Sequence, residues 1–251
     1  MSEATHHPST WLQCAVPVAD PRWQLVCFPH AGGSASFFRD WGHHLPGVRV
    51  HAVRYPGRAE RLAEPVPTDL RELARATADA VAALPGVPDL PLVLFGHSMG
   101  AAVALETARA LEARGITPAH LIASGSRDAA YPPPEPATEI DEDDEVVTRL
   151  ITLGGTDPEL AADPVFQELV LPYIRGDSHM FHSYLPRPEP LLRCPVTTIV
   201  GDDDPDADRR PWSELTGGGF REQRVPGDHF YLVPEPPYAL VLNSVAAPAE
   251  H

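Results

Sequence analysis

Lysine is absent from the chain, so all 19 basic residues among its 251 positions are arginines. Without lysine the protein has neither a lysine that forms a Schiff base nor the phosphate-binding lysine of a Walker-type loop. Acidic residues number 35, which gives a formal net charge of −16 at pH 7. Because phosphate contacts need clustered cations, this charge argues against a general nucleic-acid or anionic-membrane binder.

Cysteine and long apolar runs are also scarce. Cys14, Cys27 and Cys194 are widely spaced and form no Cys-x-x-Cys pair, which favours free thiols in a reducing compartment. No apolar stretch approaches the length of a membrane span, and the N-terminus lacks the basic and apolar regions of a signal peptide. We therefore expect a cytoplasmic protein. The histidine pairs at 6–7 and 43–44 lack companion ligands at metal spacing, so no metal site is expected.

Short apolar runs alternate with stretches of helical periodicity along most of the chain. In a chain long enough for one domain, this alternation predicts an α/β fold with a mainly parallel central sheet and helices on both faces. Trp11 and Leu12 are expected to hold the polar N-terminal segment to this body. The predicted strands cover residues 25–28, 48–53, 92–95, 121–124, 195–200 and 221–225, and helices are predicted at 69–84, after Gly100 and at 237–245.

The segment Gly96-His97-Ser98-Met99-Gly100 joins one of these strands to a helix. A Gly-x-Ser-x-Gly pentapeptide at such a junction is typical of a sharp turn that exposes a nucleophilic serine. Glycine suits both ends, because a side chain there would crowd the turn or the contact between strand and helix. Ser98 would also lie at the N-terminus of its own helix, where unpaired N–H groups favour a developing oxyanion. We interpret Ser98 as a nucleophile; the alternative is a serine that only caps the helix.

A glycine-containing loop, residues 29–35, follows the strand at 25–28. In serine hydrolases with this order of elements, the loop after an early strand supplies an oxyanion donor. Gly32 and Gly33 allow the backbone to turn an N–H inward, and Ala31 is the predicted donor. A glycine-rich turn without a catalytic role is the simpler alternative.

A serine hydroxyl needs a positioned base, and His229 is the candidate among 12 histidines. It lies in a loop after the last predicted strand and follows an acidic loop, in the order Ser, Asp, His. Asp204 is the predicted carboxylate, because three residues past Gly201, the glycine after the strand, allow the chain to turn toward the base; Asp203 is the second choice. The alternative is that His229 is an ordinary surface histidine. His30 and His97 lie near the same site, but their loops are expected to act through the backbone.

The alternation of strands and helices stops after residue 126. We interpret residues 126–190 as a helical insertion over the carboxyl ends of the strands, with residues 1–125 and 191–251 as the core. The insertion contains no convincing strand, an acidic run at 139–145 that we expect to be solvated, and predicted helices at 146–153 and 164–184, the second interrupted at Pro172. Six of its residues would line an acyl channel or form a small core of their own: Val165, Phe166, Leu169, Met180, Phe181 and Tyr184.

In several short motifs along its length, the chain resembles the type II thioesterases that accompany modular polyketide and nonribosomal peptide synthases. The Gly-x-Ser-x-Gly pentapeptide alone is shared by many hydrolases, whereas the His-Ala-Gly-Gly and Pro-Gly-Arg segments narrow the resemblance, which spans most of the chain. The matching pieces are Phe28-Pro29-His30-Ala31-Gly32-Gly33, Tyr55-Pro56-Gly57-Arg58 with Arg61, Gly96-His97-Ser98-Met99-Gly100-Ala101 with Glu106, Gly201-x-x-Asp204 and Asp228-His229-Phe230.

The resemblance implies an α/β-hydrolase fold with a mobile helical lid between the fifth and sixth core strands. It implies Ser98 as the nucleophile, Asp204 and His229 as its partners, and the backbone N–H groups of Ala31 and Met99 as the oxyanion hole. The implied activity is hydrolysis of aberrant or stalled acyl groups from the phosphopantetheine arm of acyl or peptidyl carrier proteins in polyketide or nonribosomal peptide biosynthesis. The enzyme itself would need no cofactor, because the partner carrier protein bears the phosphopantetheine.

Carrier proteins are themselves acidic, so docking onto an acidic enzyme would use a local basic patch. Arg54, Arg58 and Arg61 cluster in the sequence and are the candidates for such a patch. More often such arginines are solvated or pair with local carboxylates, and this is the interpretation that we favour.

The chain departs from the family pattern at Asp228, where the family usually has glycine. A carboxylate there would pair with a nearby arginine or favour the protonated imidazole of His229, which leaves the identity of the triad acid open. Three rival functions remain: a small-molecule carboxylesterase or lipase with the same three residues, a chain-terminating cyclase, and a catalytically inactive binding protein. A preference for oxygen esters would favour the first, and a lack of reaction with a fluorophosphonate would favour the last.

Overall fold

Seven strands form the central sheet, in the order β1-β3-β2-β4-β5-β7-β9. The computed structural model of the protein describes residues 10–87, 89–129, 159, 162–185 and 187–246. The strands of this sheet are Leu12–Gln13 (β1), Trp23–Phe28 (β2), Val48–Val53 (β3), Leu92–His97 (β4), His120–Ser124 (β5), Val196–Gly201 (β7) and Phe220–Val225 (β9). Two short strands, Ser126–Asp128 (β6) and Asp208–Arg210 (β8), pair separately.

The central sheet is parallel except at one edge. There β1 pairs antiparallel with β3, and the buried side chain of Leu12 anchors the N-terminal segment, as expected. All other neighbouring strands of the sheet are parallel. The predicted α/β class with a mainly parallel sheet is confirmed. Because parallel strands end at the same edge, the loops after β2, β4, β5, β7 and β9 meet on one side of the molecule.

Buried side chains of the strands alternate between two hydrophobic cores, one on each face of the sheet. On β4, Leu92 and Leu94 pack into one core, whereas Val93 and Phe95 pack into the other. Helices cover both faces, as predicted. The first core takes in α2 (Leu70–Ala82) and α3 (Met99–Glu112), and the second takes in α1 (Trp41–His44) and α6 (Tyr238–Ala246). Across the described ranges, no helix has both the length and the apolar character that crossing a bilayer requires.

Two helices of the predicted insertion lie within the described residues, α4 (Pro164–Leu169) and α5 (Leu171–Ser183). The break between them falls at Val170. Pro172 is not the point of interruption, because it lies in the first turn of α5, where a missing N–H costs no intrahelical hydrogen bond. The predicted helix at 146–153 and the acidic run lie outside the described residues, and the division into core and insertion stays a prediction.

The expectation that residues 126–190 contain no strand is wrong. The strand β6 pairs in parallel with β8, so that Ser126 lies opposite Asp208 and Asp128 lies opposite Arg210. A strand of three residues has too few side chains for alternation to be visible in the sequence. Its formation depends on a partner more than 80 residues further along the chain, as the register shows.

The apolar residues of α4 and α5 are divided between two environments. Phe166 packs with Leu171 and Ile174 in a small cluster of its own. Met180 and Tyr184, by contrast, are buried in the larger core beneath α2 and α3. Of the other residues in the predicted set, Phe181 packs against the larger core, whereas Val165 and Leu169 are exposed.

Candidate active site

Ser98 lies in the sharp turn between β4 and α3, with φ 55° and ψ −121°. A positive φ is rare for a residue with a side chain, and here it occurs where the strand turns directly into the helix. The Ser98 N–H donates to the carbonyl of Ser124 at the end of β5 (2.8 Å), and the Ser98 carbonyl accepts from the N–H of Ala101 (2.9 Å). These contacts fix the turn from both sides, and the Ser98 side chain is partly exposed.

The two glycines of this turn are required by close backbone contacts. A Cβ atom at Gly96 would lie 2.2 Å from the carbonyl oxygen of Gly100. A Cβ atom at Gly100 would lie 2.1 Å from the carbonyl oxygen of Phe28. Either side chain would push main-chain atoms of a close-packed interior apart, so the crowding predicted from the sequence is present at both positions.

His229 and Asp204 form a buried pair in the loops after β9 and β7. The Nδ1 of His229 donates to Oδ2 of Asp204 at 2.8 Å, and both side chains are almost fully buried. The other carboxylate oxygen of Asp204 accepts the backbone N–H of Asp206 at 2.9 Å. With Nδ1 donating to a carboxylate, the favoured tautomer of the imidazole leaves Nε2 able to accept a proton.

The two aspartates before Asp204 have different surroundings. Asp202 is exposed and accepts a hydrogen bond from Nε of Arg224 on β9 at 2.8 Å. Asp203 is exposed as well. The structure thus places Asp204, and not Asp203, against His229.

Asp228, the departure from the family pattern, is exposed, and its carboxylate accepts the backbone N–H of Phe230 at 2.8 Å. This contact stabilises the turn that contains His229. The main chain of Asp228 also packs on the end of β7, because a Cβ atom at Gly201 would lie 2.4 Å from the Asp228 carbonyl oxygen. The geometry therefore gives Asp228 a structural contact in the loop, whereas the carboxylate at Nδ1 of His229 belongs to Asp204.

The imidazole of His229 packs beside the Ser98 turn. Its ring centroid lies 5.0 Å from that of His97, the residue before Ser98. Both rings surround Gly125, where an added Cβ atom would lie 2.9 Å from Cε1 of His97 and 3.1 Å from Cε1 of His229. The loops after β4, β7 and β9 thus bring Ser98, Asp204 and His229 to one edge of the sheet.

The glycine-containing loop after β2 is tightly turned. The Gly33 N–H donates to the His30 carbonyl at 2.9 Å, and Gly32 between them has a φ of 76°. Ala31, the predicted oxyanion donor, is half-buried within this turn. Met99, the second predicted donor, is the first residue of α3, where an N–H group has no acceptor within the helix.

The arginine cluster does not form an exposed docking patch. Arg58 is 2% exposed and pairs with a carboxylate of α5, and Arg61 is 6% exposed and pairs with Glu64. The side chain of Arg54 is largely buried, and its Nε lies 3.8 Å from Oε2 of Glu60. The docking role considered for these arginines is wrong, because guanidinium groups buried against carboxylates cannot present charge to a partner. Of the two arrangements favoured from the sequence, solvation and local pairing, the structure has local pairing.

Two further histidines next to the site are neutral. Burial, together with the nearby charges of His229 and Arg58, lowers the pKa of His30 to about 3. Burial also holds the pKa of His97 well below its usual range. Since neither imidazole gains a proton near neutral pH, both rings contribute packing without adding charge beside His229.

A buried chain of hydrogen bonds joins the turn of Ser98 to the loop of His229. Nδ1 of His97 lies 3.0 Å from Oγ of Ser124, which in turn lies 2.6 Å from the hydroxyl of Tyr231. Ser124 thus contacts both segments, because its carbonyl also accepts the Ser98 N–H. Sequence reasoning missed this role of Ser124, and a lone serine at a strand end is no signal for it.

A serine in a strained strand-to-helix turn, followed along the chain by a carboxylate and a histidine at the same sheet edge, defines the class of α/β-hydrolase fold proteins. Comparison with known sequences then gives the family. The sequence model described as "Thioesterase domain" matches residues 23–241. The chain therefore belongs to the thioesterase family.

Individual relatives support this assignment. The chain is 39% identical over 227 residues to "Thioesterase PikA5" of Streptomyces venezuelae, covering 88% of this chain and 80% of that protein. Among solved structures, it is similar to the type II thioesterase BorB from the borrelidin biosynthetic cluster, with 36% identity, a TM-score of 0.80 and coverage of 94% and 97% of the two chains. It is also similar to YbtT, a type II thioesterase of the yersiniabactin pathway, with 31% identity, a TM-score of 0.82 and the same coverage. The resemblance to type II thioesterases inferred from the sequence is confirmed.

Proposed function

We propose that the protein is a serine thioesterase that removes aberrant or stalled acyl groups from the phosphopantetheine arm of acyl or peptidyl carrier proteins. Its pathway would be polyketide or nonribosomal peptide biosynthesis. The observation that carries the proposal is the buried His229–Asp204 pair, 2.8 Å between Nδ1 and Oδ2, beside the strained turn of Ser98. All three relatives named above are described as thioesterases, which supports the choice of a thioester over an oxygen ester. BorB comes from a biosynthetic cluster and YbtT from a nonribosomal peptide and polyketide pathway, which supports the choice of pathway.

The first half of the reaction is transfer of the acyl group to the enzyme. Nε2 of His229 takes the proton from Oγ of Ser98 as that oxygen attacks the thioester carbonyl. The N–H groups of Ala31 and Met99 stabilise the negative charge that develops on the carbonyl oxygen. Collapse of the tetrahedral intermediate breaks the carbon–sulfur bond, and His229 returns the proton to the departing pantetheine thiolate.

The second half is hydrolysis of the acyl-enzyme. Nε2 of His229 takes a proton from water, and the resulting hydroxide attacks the acyl carbonyl at the same oxyanion site. The ester bond to Ser98 then breaks, and its oxygen regains the proton from His229. Asp204 holds the imidazole in the required tautomer and stabilises the imidazolium in both halves. The enzyme supplies no metal or cofactor to these steps, and the carrier protein supplies the pantetheine.

The test is the rate at which the protein releases an acyl group from an acyl carrier protein, measured beside an oxygen ester of the same acyl group. We expect the thioester to be preferred, and we expect Ser98→Ala to lower the rate at least about a thousandfold. Ser36→Ala, a change at an exposed serine, is the matched control and should keep the wild-type rate.

Other outcomes would select a rival function. A preference for the oxygen ester would indicate a carboxylesterase or lipase. Release of a cyclic product from a substrate with an internal nucleophile would indicate a cyclase. No turnover and no labelling of Ser98 by a fluorophosphonate would indicate an inactive binding protein, and undiminished turnover by Ser98→Ala would refute the proposed nucleophile.

A further inference from the structure

Helix α5 packs directly against the glycine-containing loop after β2. A Cβ atom at Gly32 would lie 2.7 Å from Cγ1 of Ile174, so glycine allows the helix to approach the loop backbone. One turn further along α5, Oδ2 of Asp177 accepts the Gly32 N–H at 2.8 Å. A side chain 145 positions away in sequence therefore holds the peptide group that follows Ala31.

Asp177 is at the same time the partner of Arg58. Nη2 of Arg58 lies 2.6 Å from Oδ1 of Asp177, and Nη1 contacts Oδ2, which gives a two-pronged ion pair with both side chains at most 2% exposed. The guanidinium also lies over the rings of Tyr55 and Tyr173, 5.3 and 4.8 Å from their centroids. The contacts with the two rings and the paired hydrogen bonds hold Arg58 in one orientation.

Arg58 contacts the same loop as its partner. Its Nη1 donates to the Gly33 carbonyl at 3.2 Å. The Gly33 N–H also donates to the His30 carbonyl, so four backbone groups of the loop are held: the His30 carbonyl, the Gly32 N–H, and the N–H and carbonyl of Gly33. The peptide planes on either side of Ala31 are fixed by these contacts, and so is the direction of the Ala31 N–H.

The charges of the pair explain why both members are needed. A buried carboxylate beside the loop would by itself oppose an oxyanion, and the guanidinium neutralises it. A buried ion pair is often no more stabilising than apolar residues of the same volume, so a contribution to stability does not by itself explain why the pair is present. Orientation of the loop backbone is a role that apolar residues could not fill.

We infer that Asp177 and Arg58 are positioning residues that orient the Ala31 N–H and so couple the predicted lid segment, through α5, to the oxyanion hole. This inference rests on the proposed function, because the hole matters only if a thioester is hydrolysed. Neither residue needs to contact the substrate for this role.

The test is steady-state kinetics of Asp177→Asn and Arg58→Lys on an acyl-pantetheine thioester. Asn retains an acceptor for Gly32 but leaves Arg58 unpaired, and Lys retains the charge but not the two-pronged geometry. We expect kcat to fall about 10- to 100-fold, less than the loss of a whole oxyanion donor, with KM changed less than about threefold. Arg58→Lys keeps the experiment decisive if Asp177→Asn does not fold.

A second measurement separates positioning from loss of structure. The serine adduct of an alkyl trifluoromethyl ketone bears an oxyanion, so its inhibition constant should rise by the factor by which kcat falls. The matched control is Glu64→Gln, which makes the same carboxylate-to-amide change at the partner of Arg61 and should leave both quantities unchanged.

The outcomes distinguish this inference from the proposed function. Folded Asp177→Asn and Arg58→Lys variants with wild-type kcat would overturn the inference and leave the function standing. A fall in kcat without a matching rise in the inhibition constant would also overturn it. A wild-type protein without thioesterase activity would instead overturn the function.

Discussion

Asp202, Asp203 and Asp204 are identical side chains in successive positions, yet they have three different environments. Asp202 pairs with Arg224 at the surface, Asp203 is exposed, and Asp204 is buried against His229. The aspartate that pairs with His229 is therefore selected by the path of the loop after β7, since the three carboxylates have the same intrinsic chemistry.

Because their environments differ, the same Asp→Asn substitution should have unequal effects at Asp204 and Asp203. Asp204→Asn should lower kcat/KM for an acyl-pantetheine thioester about 10³- to 10⁴-fold, because an amide at that position favours the wrong imidazole tautomer. Asp203→Asn is the matched control, and we expect a rate within about twofold of wild type. The assignment would be reversed if the loss appeared in Asp203→Asn.

At the scale of elements, α5 is attached to the rest of the protein at its middle and just past its C-terminus. At the middle of the helix, Asp177 holds the loop after β2. Just past its C-terminus, the hydroxyl of Tyr184 donates to Oε1 of Glu106 on α3 at 2.6 Å, and Arg109 donates to the same oxygen at 3.0 Å. Burial and the neighbouring Glu106 carboxylate raise the pKa of Tyr184, so it remains a hydrogen-bond donor at neutral pH. Only the first of these attachments touches the predicted oxyanion loop.

The second attachment should therefore affect stability more than catalysis. Tyr184→Phe removes a hydrogen bond to a charged group, and we expect the free energy of unfolding to fall by about 1.5–3 kcal/mol. The kcat should stay within about threefold of wild type, because the contacts of Asp177 are retained. Urea unfolding and steady-state kinetics measure the two quantities.

Tyr238→Phe provides the comparison for that experiment. This half-buried tyrosine at the start of α6 packs on Trp41 and stacks on His44 through its ring. Because phenylalanine keeps the ring, Tyr238→Phe should lower the free energy of unfolding less than Tyr184→Phe does. Equal losses in the two variants would mean that the Tyr184–Glu106 bond contributes nothing of its own. A large fall in kcat for Tyr184→Phe would mean that this end of α5 also positions the site.

At the scale of the whole molecule, several imidazoles are buried in the neutral form. Gln24 donates through Nε2 to the Pro85 carbonyl, which turns its Oε1 toward His51 and makes Nε2 of His51 the donor at 3.0 Å. Burial and the charge of Arg49 lower the pKa of His51 to about 4. Burial lowers the pKa of His120 to about 4 as well, and the charge of Arg221 adds to this effect.

These lowered values predict acid sensitivity of the fold. Between pH 6.5 and 4 the unfolded chain binds a proton at each such histidine and the folded protein does not, so stability is lost as the pH falls through this range. Each histidine with a folded pKa of about 4 should cost about 2 kcal/mol of stability at pH 5 relative to pH 7.5. Urea unfolding at the two pH values measures the change.

His51→Gln isolates one contribution to that pH dependence. Glutamine keeps a donor for Gln24 but does not titrate, so the difference in unfolding free energy between pH 7.5 and 5 should shrink by about 2 kcal/mol. His43→Gln, at an exposed histidine of α1, should leave the difference unchanged. An unaltered pH dependence in His51→Gln would contradict the lowered pKa.

Much of the fold was predictable because it follows from local patterns. The runs of residues that become β2, β3, β4, β5, β7 and β9 were identified to within about two residues. The strands β1, β6 and β8 were not, because two or three residues show no periodicity and form only where a partner strand lies alongside. The arginine cluster shows the same limit, since adjacency in sequence did not reveal that two of the three guanidinium groups are buried.

What the sequence by itself determined is the order of strands and helices, the strained glycine-flanked turn of Ser98, and the succession of serine, acidic loop and histidine. These features depend on backbone preference and on the periodicity of side chains over a few residues, so they are visible in the sequence alone. Only the tertiary structure decided which aspartate meets His229, and that Arg58 joins Asp177 across 119 positions. Such polar contacts are made when distant loops and helices pack together, and no local pattern encodes the partner that packing will bring.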